Sequence, residues 1–158
     1  MTGVSPLPVF CTRAGAAVVG SMMTAYGLPQ DQAEAIYLYR ILHALEDIRE
    51  GWYFVRYDDW FGEEADGQML GLSRYCGLRL SEERAEAIVS SNVRPRLNRQ
   101  ARDSGIRLSG VVNELDGMLN SFTGTDYDQD RIDDWCQSVR KRLSDLRFLT
   151  EGIRRIGK

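Results

Sequence analysis

Cysteine pairs, long apolar runs and an excess of basic charge are all missing from this sequence of 158 residues. Its three cysteines, Cys11, Cys76 and Cys136, are odd in number and far apart, which argues against a disulfide framework and against a cysteine-rich metal site. A reducing cytoplasm fits this cysteine usage best. No apolar run approaches the roughly 20 residues of a membrane span. The first residues also lack the basic and apolar regions of a secretory signal.

The charge balance disfavours another class of function. The net charge is -3, with 20 basic and 23 acidic residues, so the chain has no general basic surface for nucleic acid. Arginines are concentrated in residues 94–102, and the overall acidity disfavours a nucleic-acid module there. Hydrophobic residues make up 43% of the sequence and charged residues 27%, which is typical of a soluble globular domain with a sizeable core.

Residues 51–61 carry the clearest strand pattern. Residues 52–55, Trp-Tyr-Phe-Val, form a continuous apolar run after a glycine, as in a parallel strand that is covered on both faces. The next four residues, Arg-Tyr-Asp-Asp, reverse the polarity. Ligand-facing groups lie at this end of the strands in open α/β sheets. The pattern therefore predicts a buried strand that ends in candidate functional residues.

An earlier segment predicts the partner of this strand. Residues 9–11 predict a short buried strand, and the small and apolar residues 15–26 predict a tightly packed helix. Apolar positions spaced by three and four then predict a second helix, which stops at Gly51. The order strand, helix, helix, strand predicts a crossover with parallel strands, so Arg13 and Tyr57 are expected to emerge at the same edge of the sheet. At the start of the first helix, Arg13 and free backbone N–H groups could hold an anion.

The rest of the chain is predicted to be helical. Asp31 with Glu34 resembles the capping arrangement of the second helix, and Ser81 caps a later one. Residues 108–122 predict an amphipathic helix, and a polar linker precedes the last helix, whose apolar residues recur at alternating spacings of three and four, as in a coiled-coil seam. The seam consists of Ile132, Trp135, Val139, Leu143, Leu146, Leu149, Ile153 and Ile156.

The seam sets the predicted domain organisation. Residues 1–105 are predicted to be the C-terminal part of one domain, and residues 106–158 are predicted to form a helical hairpin or coiled-coil-like extension. The helix predicted over residues 108–122 is too short to cover the whole seam, so the distal end of the seam, residues 149–156, is expected to stay under-buried. It either pairs with a second copy or led into another domain, whereas an intramolecular packing face is the competing interpretation.

Particular residues carry a resemblance to a known family. Residues 55–60, Val-Arg-Tyr-Asp-Asp-Trp, resemble the Val-Arg-Tyr-Glu-Asp-Leu strand end of the sulfotransferases, which transfer sulfuryl groups from 3′-phosphoadenosine 5′-phosphosulfate. Residues 70–84 resemble the stretch that follows this motif in bacterial members, where a helix ends in Phe-Leu-Gly-Leu. Residues 9–13, with Ser21 eight positions after Arg13, resemble the family's 3′-phosphate motif. The matches cover roughly residues 9–100 in the family's order.

The resemblance implies a P-loop-like sulfotransferase fold, present as a helix-rich C-terminal portion with about two parallel strands. It implies that Arg13 and Ser21 contact the 3′-phosphate of the co-substrate, 3′-phosphoadenosine 5′-phosphosulfate, and that Arg96 and Arg99 close over a nucleotide phosphate. No metal is implied. A second register, in which residues 12–17 are a decayed phosphosulfate loop, fits the spacing to the later motif less well.

The sequence also departs from the family pattern. Ala14 and Gly15 stand where the family has Asp-Pro, and in the preferred register neither the phosphosulfate loop nor the segment that supplies the catalytic base is present. No catalytic residue is therefore assigned. The sole histidine, His43, is interpreted as a solvated helix residue.

Each candidate residue has a structural alternative. Arg13 could be a capping surface residue, Ser21 a small packing residue, and Arg96 and Arg99 part of a solvated basic helix. The carboxylates after the second strand are expected mainly to build the end of the sheet, as they do in the family.

The predicted function is that of a sulfotransferase-like protein, which transfers a sulfuryl group to a hydroxyl or amine and is incomplete or inactive as this chain alone. The alternative is a non-catalytic helical binding or assembly module with a degenerate nucleotide site. Predicted partners are the nucleotide and, through the C-terminal helix, a second copy or a missing N-terminal half. Neither nucleic acid nor a membrane is expected as a partner, and the expected location is cytoplasmic.

Overall fold

The computed structural model describes residues 7–61, 63–92 and 105–144. This part of the chain has a mixed α/β structure that is mostly helical, with two parallel strands. The strands are β1 (Val9–Thr12) and β2 (Tyr53–Arg56). The helices are α1 (Gly15–Tyr26), α2 (Gln30–Glu46), α3 (Ala65–Tyr75), α4 (Glu82–Asn92), α5 (Gly110–Asn120) and α6 (Gln129–Ser144). A short 3-10 helix, Asp58–Phe61, follows β2.

The two strands pair in parallel, as the predicted crossover requires. Val9 lies opposite Tyr53, and Thr12 lies opposite Arg56. Helices α1 and α2 connect the strands. Gly27 ends α1 with a φ of 64°, a left-handed conformation that glycine adopts without a steric penalty. The prediction of parallel strands, made from the local pattern, is confirmed.

The start of α2 differs from its prediction. Asp31 and Glu34 were expected to cap this helix, but its N-cap residue is Pro29 and no side chain caps it. The prediction of a capping box was therefore wrong. Glu34 instead accepts hydrogen bonds from the Ser109 N–H at 3.2 and 3.3 Å, at the residue that precedes α5. Ser81 does cap α4 as predicted, because its hydroxyl accepts a hydrogen bond from the Arg84 N–H at 3.3 Å.

The chain divides into two compact units. The first contains both strands, α3, α4 and residues 120–127, and the second contains α1, α2, α5 and α6. Each unit is assembled from segments that are far apart in the sequence. The predicted domains, 1–105 and 106–158, stay a prediction.

Phe54 lies at the centre of the core of the first unit. It is 1% exposed, and its ring lies 5.3 Å from that of Phe10, 5.2 Å from that of Phe122 and 4.8 Å from that of Tyr127. The backbone of Phe54 also bonds to Gly124, which was predicted to be in a polar linker. Tyr53 and Val55 are buried as well, which confirms that residues 53–55 form a covered strand.

The core of the second unit is helical. Val112, Leu115, Met118 and Leu119 form the buried side of α5. On α6 the first three residues of the predicted seam, Ile132, Trp135 and Val139, are buried. Helix α6 packs against α2, a neighbour that the sequence pattern did not indicate. The distal end of the seam, residues 149–156, lies outside the described residues.

Candidate functional site

The carboxyl ends of β1 and β2 bring Arg13 and Tyr57 together. Because the strands are parallel and in register, the residue that follows each strand emerges at the same edge of the sheet. The Tyr57 N–H donates to the Thr12 carbonyl at 2.7 Å and thereby extends the pairing beyond the strands. The guanidinium carbon of Arg13 lies 5.2 Å from the centroid of the Tyr57 ring, within the range of a cation–π contact. This juxtaposition confirms the prediction of a common edge.

Arg13 has a loose charge partner in Asp58. Its Nε lies 4.0 Å from Asp58 Oδ1, and the two side chains are 33% and 44% exposed. The Nε atom is buried, and no described residue accepts a hydrogen bond from it. The ring of Tyr57 thus orients Arg13. The guanidinium still has N–H groups that could donate hydrogen bonds to an oxyanion.

Arg56 and Asp59 form a second ion pair beside the first. Arg56 Nη2 lies 3.4 Å from Asp59 Oδ1, and Asp59 also accepts a hydrogen bond from Gln68 at 3.4 Å. Arg56 Nη1 donates to the Asn120 carbonyl at 3.4 Å. Burial raises the pKa of Asp59, although the charge of Arg56 opposes this shift. These contacts tie β2 to the segments around it, as expected for residues that build the end of a sheet.

The N-terminus of α1 is occupied by an internal carboxylate. The Gly15 N–H donates to Asp116 Oδ2 at 2.7 Å, and the Tyr37 hydroxyl donates to Asp116 Oδ1 at 3.3 Å. Burial, followed by the charge of Asp116 and this hydrogen bond, raises the pKa of Tyr37. The Gly15 N–H was expected to be free for an external anion, and that expectation is corrected. No pattern in the sequence connects two positions that are 101 residues apart.

The structure describes only some of the remaining predicted site residues. Ser21 is exposed on α1 and belongs to the second unit, whereas Arg13 belongs to the first. Arg96 and Arg99 lie outside the described residues. His43 is a half-exposed residue of α2, with its Nδ1 3.4 Å from Glu46 Oε2, so its position agrees with the predicted solvated helix residue.

A cavity of about 440 Å³ lies beside α2 and α6 in the second unit. Its lining is charged and polar and consists of Glu46, Arg49, Glu50, Gln129, Asp133, Cys136, Gln137 and Arg140. Arg140 donates to Glu46, and this hydrogen bond is the main cause that lowers the pKa of Glu46. Burial raises the pKa of the Cys136 thiol to about 11, and the nearby Glu46 and Asp133 add to this shift. The thiol is therefore protonated at neutral pH and is a poor nucleophile.

Within residues 7–61, 63–92 and 105–144 there is no group of three or more histidine, cysteine or acidic side chains that could hold a metal ion. Among the helices that the structure describes, none combines the length and the apolar character needed to cross a membrane. Compared with protein-family models, with curated proteins and with solved structures, the chain gives no significant match.

Proposed function

We propose that the protein is sulfotransferase-like and binds the 3′-phosphorylated adenosine nucleotide of such enzymes through Arg13. Sulfuryl transfer would run from 3′-phosphoadenosine 5′-phosphosulfate to a hydroxyl or amine acceptor, and this chain alone would bind the nucleotide without transferring the group. The observation that carries the proposal is the position of Arg13 over Tyr57, at the carboxyl edge of a parallel strand pair.

The chemistry of Arg13 suits a phosphate ligand. A guanidinium forms paired, charge-assisted hydrogen bonds to phosphate oxygens, and its planar donors fix the orientation of the anion. The contact with Asp58 at 4.0 Å is too long for a hydrogen bond, so a phosphate could take up the donors of Arg13 without breaking one.

The catalytic step would require groups that the sequence lacks in the preferred register of the resemblance. Sulfuryl transfer needs a base to deprotonate the acceptor, together with cations or N–H groups to stabilise the developing charge. His43 is half-exposed and engaged with Glu46, which makes it a weak candidate for the base. We therefore assign a binding role to the chain and no catalytic residue.

A second candidate function is a non-catalytic binding or assembly module with a degenerate nucleotide site. The observation that favours it is the hydrogen bond from Gly15 to Asp116, which fills the N-terminus of α1 with a carboxylate of the same chain. A helix N-terminus that is already neutralised contributes less to the binding of an external anion.

Calorimetry with 3′,5′-adenosine bisphosphate tests the main proposal. We expect weak binding that is weakened further by salt, lost in Arg13→Ala and only partly restored in Arg13→Lys, because lysine retains the charge but not the paired donors. Arg79→Ala is the matched control, since Arg79 is an exposed arginine of the first unit, and it should bind as the wild type does. Adenosine 5′-monophosphate should bind more weakly, because it lacks the 3′-phosphate. Equal affinity in Arg13→Ala and the wild type, or no heat with the wild type, would reject the proposal in favour of the module.

A further inference from the structure

Within the part of the chain that the structure describes, β1 is hydrogen-bonded along one edge only. On the β2 side, the Pro8 carbonyl accepts from the Tyr53 N–H at 3.0 Å, and the Thr12 carbonyl accepts from the Tyr57 N–H at 2.7 Å. The backbone groups of alternate residues point to opposite sides of a strand. The N–H and C=O groups of Leu7, Val9 and Cys11 therefore point away from β2. None of the described residues hydrogen-bonds to them.

The open edge of β1, the side that faces away from β2, lacks the features that usually prevent an edge strand from pairing with another chain. Residues 7–12 contain no charged side chain, and Leu7 and Val9 are 53% and 42% exposed. Edge strands usually carry charged residues, bulges or prolines that prevent pairing with another chain. Pro8 does not serve this purpose, because its missing N–H falls on the β2 side of the strand. The outer row of donors and acceptors is uninterrupted.

The outer side of β2 is already paired at one residue, Phe54. The Phe54 N–H donates to the Gly124 carbonyl at 2.6 Å, and the Gly124 N–H donates back to the Phe54 carbonyl at 3.1 Å. A pair of strands is marginal by itself, and sheets of three or more strands are the stable norm. Among the described residues, the outer side of β2 is thus paired at Phe54, whereas the outer side of β1 is open.

We propose that β1 pairs with β1 of a second copy of this chain, antiparallel and edge to edge, about a two-fold axis near Phe10. The open edge fits this occupant because it is self-complementary. With the axis at Phe10, Val9 of one copy lies opposite Cys11 of the other. Each of these residues directs both its N–H and its C=O outward, so the two pairs form four hydrogen bonds. A closed two-fold interface of this kind uses the same residues on both copies.

The side chains of the strand are compatible with this pairing. Val9 and Cys11 are both exposed and lie on the same face of β1, so each would cover the other across the axis. Phe10 and Thr12 stay buried in their own unit. Since residues 7–12 carry no charge, no like charges would face each other across the paired strands. This interface is separate from the distal seam of the terminal helix, and it does not depend on the nucleotide function.

Sedimentation velocity over a range from micromolar to submillimolar concentration tests the proposal. The wild type should shift from monomer to dimer as its concentration rises. Val9→Lys should lose the shift by placing charges at the axis, and Val9→Pro should lose it by removing an outward donor while every bond to β2 is kept. Val9→Thr is the matched control and should retain the shift, because it keeps the N–H group and favours a strand.

Disulfide trapping tests the register. In a Cys76→Ser background, a Val9→Cys, Cys11→Ser chain is mixed with a chain that retains Val9 and Cys11. The thiol introduced at position 9 should cross-link to Cys11 of the other chain, because directly opposite Cα atoms lie about 5.5 Å apart. More cross-linking within either chain type than between the two types would refute this register.

Other outcomes would overturn the proposal as a whole. A wild type that stays monomeric throughout the concentration range would exclude self-pairing. A dimer that survives in both Val9→Lys and Val9→Pro, but is lost when the chain ends at residue 145, would place the interface on the terminal seam instead.

Discussion

Substitution of Gly15 by alanine should destabilise the protein, although the same change usually stabilises a helix. Gly15 is the first residue of α1 and is buried. A Cβ atom there would lie 2.6 Å from Asp116 Oδ1, which is closer than real Cβ atoms approach, and 3.0 Å from Oδ2. The carboxylate would have to move away and lose its 2.7 Å hydrogen bond with the Gly15 N–H.

Two opposing terms decide the size of the effect. Alanine in place of glycine stabilises a helix interior by up to about 1 kcal/mol. A hydrogen bond to a charged group contributes roughly 1.5–3 kcal/mol, and a carboxylate at a helix N-terminus adds roughly 0.3–1 kcal/mol. The loss exceeds the gain, so Gly15→Ala should lower the free energy of unfolding by roughly 1–3 kcal/mol. Gly117→Ala on α5 should raise it by up to about 1 kcal/mol, because nothing lies within 4 Å of its added Cβ.

Urea titrations of the single and double variants measure these terms. In an Asp116→Ala background the clash is gone, so Gly15→Ala should become neutral or stabilising there. This change of sign is the signature of a direct contact in a double-mutant cycle. If Gly15→Ala stabilises the wild type as much as Gly117→Ala does, the carboxylate does not occupy the N-terminus of α1 in the way described.

Two further predictions concern titrating groups of the second unit. The pKa of Glu46 is lowered from its ordinary value of 4.5, mainly by the hydrogen bond from Arg140. The stability that Glu46 contributes is therefore fully present above pH 4.5 and is lost as the pH falls through the lower pKa of the folded state. Arg140→Ala should therefore weaken the acid dependence of unfolding, and an unchanged pH profile would contradict this. Because burial raises the pKa of Cys136 to about 11, Cys136 should react with iodoacetamide at neutral pH much more slowly than the exposed Cys76. Mass spectrometry of the labelled peptides measures both rates, and equal rates would contradict the burial of Cys136.

Local sequence patterns were sufficient for the strand pair. The apolar run of residues 53–55 and the crossover through two helices predicted β1, β2 and their parallel pairing, and all three are confirmed. Such patterns are informative because burial and periodicity are properties of neighbouring residues. The position of Arg13 beside Tyr57 followed from the same reasoning, since the ends of parallel strands meet at one edge.

Contacts between distant segments were decided by the tertiary structure alone. Glu34 matched a local capping pattern, yet it bonds to Ser109, because the packing of α2 places its carboxylate at the residue before α5. Asp116 fills the N-terminus of α1 across 101 positions of sequence, and a helix N-terminus attracts whichever carboxylate the fold brings near. The sequence by itself thus determined which of the described segments are strands and which are helices. The choice of partner for each polar group depended on three-dimensional proximity, which no local pattern encodes.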